Sequence, residues 1–188
     1  MKKKLTLRDK AIRAYNSMIA RCNTNKNYQN VSIDPAWIND RELYIKWFSD
    51  NYVDGWHCDK DLKAPYSNLY SPSTCLFVPT AVNHAIRGKK SNSRGNVNNI
   101  QVLPMGVSMS YSIKNPYQSH CKINGVQTHL GLFSTPEAAH RAWQCGKIDQ
   151  LQYLLLAEGL NSEIIDAINN WIEIILDDIK NGRQTIIR

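Results

Sequence analysis

The sequence predicts an α+β protein of two small units, and three observations carry that reading. Helical apolar spacing and short aromatic strands alternate over residues 1–86, and a polar run without hydrophobic periodicity interrupts them at 87–105. Three closely spaced strand-like runs and two helix-length stripes then fill 106–188. The first unit ends in the order strand, strand, helix. The second is a three-stranded antiparallel sheet packed on a helix, plus a C-terminal helix.

The elements follow in order. Leu7, Ala11, Ala14, Tyr15, Met18 and Ile19 recur at helical spacing between Thr6 and Cys22, with Arg8, Arg13 and Arg21 toward the surface. Val31-Ser32-Ile33 before Pro35 predicts a short strand. Asn39 or Asp40 then caps a helix through Leu43, Trp47 and Phe48. Trp37, Trp47, Phe48 and Trp56 are expected in the core. Trp56-His57-Cys58 and Cys75-Leu76-Phe77-Val78 read as strands joined by a turn-rich connection from Lys63 to Pro72, and a short helix starts at Thr80. Residues 87–105 read as an extended basic linker. Gly106–Ser112, Tyr117–Ile123 and Val126–Phe133 read as three strands, the last two joined by a two-residue Asn124-Gly125 turn. Ser134 is placed as the cap of a helix striped by Ala138, Ala139, Ala142, Trp143 and Cys145. The stripe Ile164, Ile165, Ile168, Trp171, Ile172, Ile175 and Ile179 predicts a last helix ended by Gly182, serving either internal packing or a dimer seam.

Charge narrows the partner. The chain carries a formal +7, unevenly distributed. No acid occurs between Asp61 and Glu137, whereas Lys63, Arg87, Lys89, Lys90, Arg94, Lys114 and Lys122 lie in that span; from Glu137 onward acids outnumber bases. A surface that binds phosphates must exclude carboxylates, so the middle of the chain is where a nucleic acid backbone is expected. The bases of the linker (Arg87, Lys89, Lys90 and Arg94) are expected to lie along DNA, as groove-tracking arms do. No apolar run is long enough to span a bilayer and Met1-Lys2-Lys3-Lys4 is followed by polar residues, so a cytoplasmic protein without a membrane partner is expected. Five scattered cysteines without a C-x-x-C pair argue against a disulfide framework or structural zinc site, and for mostly buried thiols.

Asp59-Lys60-Asp61 at the end of one strand and Asn83-His84 in the following helix offer hard oxygen donors and a nitrogen donor. A carboxylate and an amide oxygen, completed by water and phosphate, suit one divalent cation, Mg²⁺ or Mn²⁺, which would stabilise the leaving oxygen in phosphodiester hydrolysis. Asp and Asn are also ordinary turn and cap residues.

The blocks Met18-Ile19-Ala20-Arg21-Cys22, Val31-Ser32-Ile33-Asp34-Pro35-Ala36-Trp37, Asp59-Lys60-Asp61 and Tyr70-Ser71-Pro72-Ser73-Thr74-Cys75-Leu76-Phe77-Val78-Pro79 resemble, in order, the phage HNH homing endonucleases with their ββα-metal core. The resemblance implies that Asp59 and Asn83 bind the metal. In that family a His beside the acid activates water, and here Lys60 stands there; the Asn that orients that His corresponds to about Thr74. A lysine is ordinarily protonated near neutral pH. Lys60 then either holds the scissile phosphate as a cation, leaving metal-bound hydroxide, His57 or His84 as the base, or the site is inactive.

Gly106-Val107, Asn124-Gly125, His129-Leu130-Gly131-Leu132-Phe133, Thr135-Pro136-Glu137-Ala138-Ala139 and Ala142-Trp143 resemble the ethylene-response-factor type of DNA-binding domain. That resemblance implies a sheet laid in the major groove of double-stranded DNA. Alternation independently puts Ser119, Cys121 and Ile123 against the helix and Gln118, His120, Lys122, Gln127 and His129 on the opposite face, where they can meet base edges or phosphates. The expected function is a metal-dependent endonuclease that nicks DNA, working in a host cytoplasm as a monomer or as a homodimer through the C-terminal helix. The rival is a non-catalytic DNA-binding regulator or anti-defence factor on a degenerate HNH core. An RNA-directed nuclease is a third reading.

Overall fold

The computed structural model describes residues 5–87 and 103–187. Lys89, Lys90 and Arg94, with most of the expected linker, lie outside the described residues. The chain forms two compact units, Met1–Thr80 and Ala81–Arg188.

The first unit opens with α1 (Leu7–Thr24), which begins in a reciprocal cap: the Thr6 hydroxyl accepts from Asp9 N–H and the Asp9 carboxylate accepts from Thr6 N–H. The helix runs two residues past its predicted end. A single 3₁₀ turn (Lys26–Tyr28) leads to β1 (Ser32–Ile33), and α2 (Pro35–Asn39) follows, capped by Asp34 with Pro35 in its first turn. Asp40, one of the two expected caps, accepts from Glu42 N–H and starts α3 (Arg41–Asn51). Next come β2 (His57–Asp59), β3 (Leu69–Tyr70) and β4 (Leu76–Val78). Strand β2 pairs antiparallel with β4, with Asp59 opposite Leu76, while β3, inside the connection expected to be turns, pairs parallel with β1.

Aromatic packing holds this unit together. Trp37 and Tyr44 are nearly fully buried and meet edge to face at 5.0 Å; Phe48 meets Phe77 edge to face at 5.1 Å. Trp47 stacks on Phe77 at the margin of the same cluster, and Trp56 packs against it. Such offset geometries set the negative ring face against a positive edge and add to the burial of area.

Helix α4 (Thr80–Ala85) carries the chain across the boundary between the units. In the second unit β5 (Val107–Met109), β6 (Tyr117–Ile123) and β7 (Val126–Phe133) form an antiparallel sheet in sequence order. Asn124 and Gly125 both have positive φ, 50° and 79°, as a two-residue hairpin turn requires. Strand β5 is shorter than predicted because Ser110 turns into the loop, its N–H donating to Pro116 O. Gly106 has φ +77°, and a Cβ there would sit 2.0 Å from the Trp143 ring, so this position brings backbone against indole.

Helix α5 (Pro136–Leu154) packs across one sheet face, and α6 (Ser162–Lys180) packs on α5. The α5 cap is Thr135, one residue after the predicted Ser134: its hydroxyl accepts from Ala138 N–H, which fits Pro136 at the first helical position. Ala138 and Cys145, assigned to the apolar stripe, are exposed instead. The buried face runs through Ala139, His140, Trp143, Gln144, Gly146, Lys147, Gln150, Leu151 and Leu154, mixing apolar with polar residues. Ile164, Ile168, Trp171 and Ile175 of α6 are buried within the chain. No described helix is long and apolar enough to cross a membrane.

Candidate nucleic-acid interface and catalytic cluster

The open face of β5–β6–β7 is the better formed of the two expected sites. Ser119 and Cys121 are buried, and Gly146 of α5 lies against Cys121 and Leu130, which fixes the helix side of the sheet. Opposite that side, the register pairs Lys122 with Gln127, His120 with His129, and Gln118 with Leu132 and Ser108. The five residues expected on the open face therefore do share it, but the ladder is not regular. An irregularity lies at Ser119/His120, where Leu130 is the extra residue on β7. Without that bulge the outward and inward residues of β7 would exchange faces beyond His129.

Two polar rows and one mixed row result. His129 Nδ1 lies 3.2 Å from His120 Nε2, and the rings are tilted with centroids 4.8 Å apart. Burial, then the neighbouring His129, lowers the pKa of His120. Lys122 and Gln127 are exposed, whereas Gln118 spends one amide N–H on Met109 O at 2.8 Å. No carboxylate lies on any strand of this sheet; in the helices behind it sit Glu137, Asp149, Glu163, Asp166, Glu173, Asp177 and Asp178. The acid-free span seen along the chain thus becomes an acid-free layer. Arg87 is exposed at the end of the first described stretch.

In the first unit, β2 alternates, so His57 and Asp59 share one side and Cys58 the other. His57 is exposed, with Nε2 3.1 Å from Thr80 Oγ1. Asp59 is half-buried. Its Oδ1 accepts from the backbone N–H groups of Asp61 at 2.8 Å and Leu62 at 2.7 Å, closing the turn that leaves the strand. Burial raises its pKa to about 6 despite those two donors.

Lys60 is only 6% exposed. Its Nζ donates to Asp61 Oδ1 at 2.5 Å and Ser67 O at 3.3 Å and lies 5.8 Å from the centre of the Tyr70 ring. Lys60, where the HNH resemblance leads one to expect a His, is thus an internal ion-pair partner with a buried ammonium. Thr74, near which the resemblance would put the orienting Asn, donates to Leu69 O at 2.7 Å and accepts from Ser71 N–H at 3.0 Å, which ties the turn before β4. Asn83 is buried and His84 exposed, both in α4 and in the second unit. Among the described residues no group of three or more His, Cys, Asp or Glu gathers to hold a metal.

The second unit also holds a buried polar network with no sequence signal. Thr185 N–H donates to His140 Nε2 at 3.0 Å, so the neutral ring carries its proton on Nδ1 and donates it to Met105 O at 2.8 Å. Thr185 Oγ1 donates to Asp178 Oδ2 and accepts from Gln144 Nε2. Lys147 Nζ donates to Ala85 O and Gln150 Oε1, both at 2.8 Å. These bonds tie the C-terminal tail and the start of the sheet to α5. Comparison with protein-family models, curated proteins and solved structures gives no match to this chain.

Proposed function

We propose that this chain is a DNA endonuclease of the HNH homing kind, which holds double-stranded DNA on the open face of β5–β6–β7 and nicks it with the first unit. The observation that carries the DNA-binding half is the acid-free sheet face with His120, His129, Lys122 and Gln127 turned outward. Imidazole, amide and ammonium groups on an antiparallel ribbon offer donors to base edges and phosphates at the width of a major groove.

For the nicking half, Asp59 is the ligand the first unit would offer to one Mg²⁺ or Mn²⁺ ion, with Asn83 the amide oxygen expected from the sequence. The donor chemistry fits a hard cation. A half-buried carboxylate with a raised pKa gains most from a cation, because the ion restores the charge that burial disfavours. Such an ion supplies charge stabilisation at the leaving oxygen. His57 is the accessible imidazole on the same side of β2 and is the base this reading favours; Lys60, buried against Asp61, serves the fold of the turn.

That burial also favours a second reading, a DNA-binding regulator or anti-defence factor on a nuclease core that has lost its base. Plasmid relaxation with Mg²⁺ or Mn²⁺ separates the two. Metal-dependent nicking that disappears in Asp59→Ala and His57→Ala at equal DNA occupancy supports the endonuclease. Binding without nicking across both metals, on DNA containing the native site, supports the regulator. Preference for RNA over duplex DNA in the same assay would overturn both.

A further inference from the structure

The loop between β5 and β6 is built to hold two apolar side chains in water. Tyr111 is 107% exposed and Ile113 99% exposed, more than any other large hydrophobic residue among those described. The loop is nevertheless internally ordered. Ser110 N–H donates to Pro116 O at 2.8 Å and Ser110 Oγ to Asn115 O at 2.8 Å; Ser110 Oγ accepts from Ser112 N–H, and Ser112 Oγ accepts from Asn115 N–H, both at 3.1 Å. Side chains touching nothing add nothing to the fold, so fixing the backbone beneath them gains only if something outside the chain uses them.

Their surroundings point to the occupant. Lys114 lies in the same tip, and the nearest acids in sequence are Asp61 and Glu137. At this end of the sheet, exposed Leu132 stands opposite Gln118 on the open face, and exposed Met109 leads into the loop. The open face therefore carries histidine, lysine and glutamine toward the Asn124-Gly125 turn and Leu132 beside Gln118 toward the loop, while Met109 is exposed on the other side of β5. A protein partner would explain apolar exposure but not the acid-free span that encloses it.

We propose that Tyr111 and Ile113 form an apolar DNA-contacting tip, placed against exposed or partly unstacked bases while Lys114 holds the adjoining phosphate. This rests on the reading of the sheet as a DNA-binding face, and extends it from groove recognition to distortion of the duplex. Apolar and aromatic wedges act this way because every base has a π-face, and the strand bends where a step is opened.

The test is binding of the full chain to short random-sequence duplexes, with 2-aminopurine replacing adenine in one strand, over a range of salt. For the chain as it stands, 2-aminopurine fluorescence is expected to rise on binding as bases unstack. In the double variant Tyr111→Ala with Ile113→Ala, affinity should fall about tenfold or more and the fluorescence rise should disappear. The salt dependence should keep its slope, since no phosphate contact is lost. Tyr111→Phe should keep the signal, and Lys114→Ala should lower the slope by about one. Because both apolar side chains are outside the packed interior, circular dichroism of the variants should match the parent. Equal affinity and fluorescence in parent and double variant would overturn the tip while leaving the sheet as the binding face. A parent that binds no duplex would overturn the sheet reading, and the tip with it. A double variant that binds DNA normally but loses self-association would reassign the tip to protein contact.

Discussion

The two units bury different chemistry. The first closes on rings, with Trp37, Tyr44, Phe48 and Phe77 meeting one another, and its buried polar groups Lys60, Ser71 and Thr74 serve local turns. The second closes on Ile164, Ile168, Trp171 and Ile175 of α6 and on buried polar groups, among them His140, Gln144, Lys147, Gln150, Asp178 and Thr185. Burial of area is additive and tolerant of small shifts, whereas a hydrogen bond inside a low-dielectric interior must be complete. The first unit should therefore respond to lost volume, and the second to lost partners, close contacts and protons.

The largest effect expected is in the aromatic core. Trp37→Ala should cost about 3–5 kcal/mol, read as lost amide exchange protection in α1 and α3; equal loss in α5 and α6 would break the contrast between the units. Gly106→Ala comes next, at about 2–3 kcal/mol, because the new methyl meets the Trp143 ring and an L residue resists φ +77°. Its urea midpoint should fall while the aromatic cluster of the first unit keeps its protection.

Thr185→Val, nearly the same shape, removes the hydroxyl shared by Asp178 and Gln144 and should cost about 1–3 kcal/mol by leaving them underpaired. A neutral outcome in thermal melting would mean that the tail is held by apolar contact alone. The smallest effect is with pH. Burial, partly opposed by the Met105 hydrogen bond and by Asp178, lowers the pKa of His140 from 6.5. Its neutral form is therefore favoured by the fold: stability from this residue is fully present above pH 6.5 and declines as pH falls through the lowered value, when Nε2 gains a proton and can no longer accept from Thr185. His140→Gln should flatten that part of the profile of melting temperature against pH.

The contrast explains what could be read from the chain. The ends of β6 and β7, the Asn124-Gly125 turn and the ring cluster followed from local rules: alternation, a turn needing positive φ, and helical spacing of aromatics. The Thr135 cap was missed by one residue because Ser134 and Thr135 both offer a hydroxyl, and Pro136 decides between them. Strand β3 was hidden because two residues in a turn-rich stretch have no period, and only pairing with β1 makes them a strand. At the expected catalytic cluster, residue types were legible but directions were not. Nothing in Asp59-Lys60-Asp61 reveals that the ammonium turns inward to Asp61 and Ser67 while His57 stays outside.

By itself, then, the sequence determined the α+β class, the order of most elements, the acid-free span and the side of the sheet that faces outward. These depend on interactions between residues close in the chain, where spacing fixes geometry. Tertiary structure decided the buried fate of Lys60, the bulge at Leu130, the tautomer of His140 and the tying of the C-terminal tail to α5. The ion pair of Lys60 is with its chain neighbour Asp61, but its direction is set by the turn that brings Ser67 and Tyr70 over it; the others depend on partners brought near by pairing or packing, and such contacts leave no periodicity in the sequence.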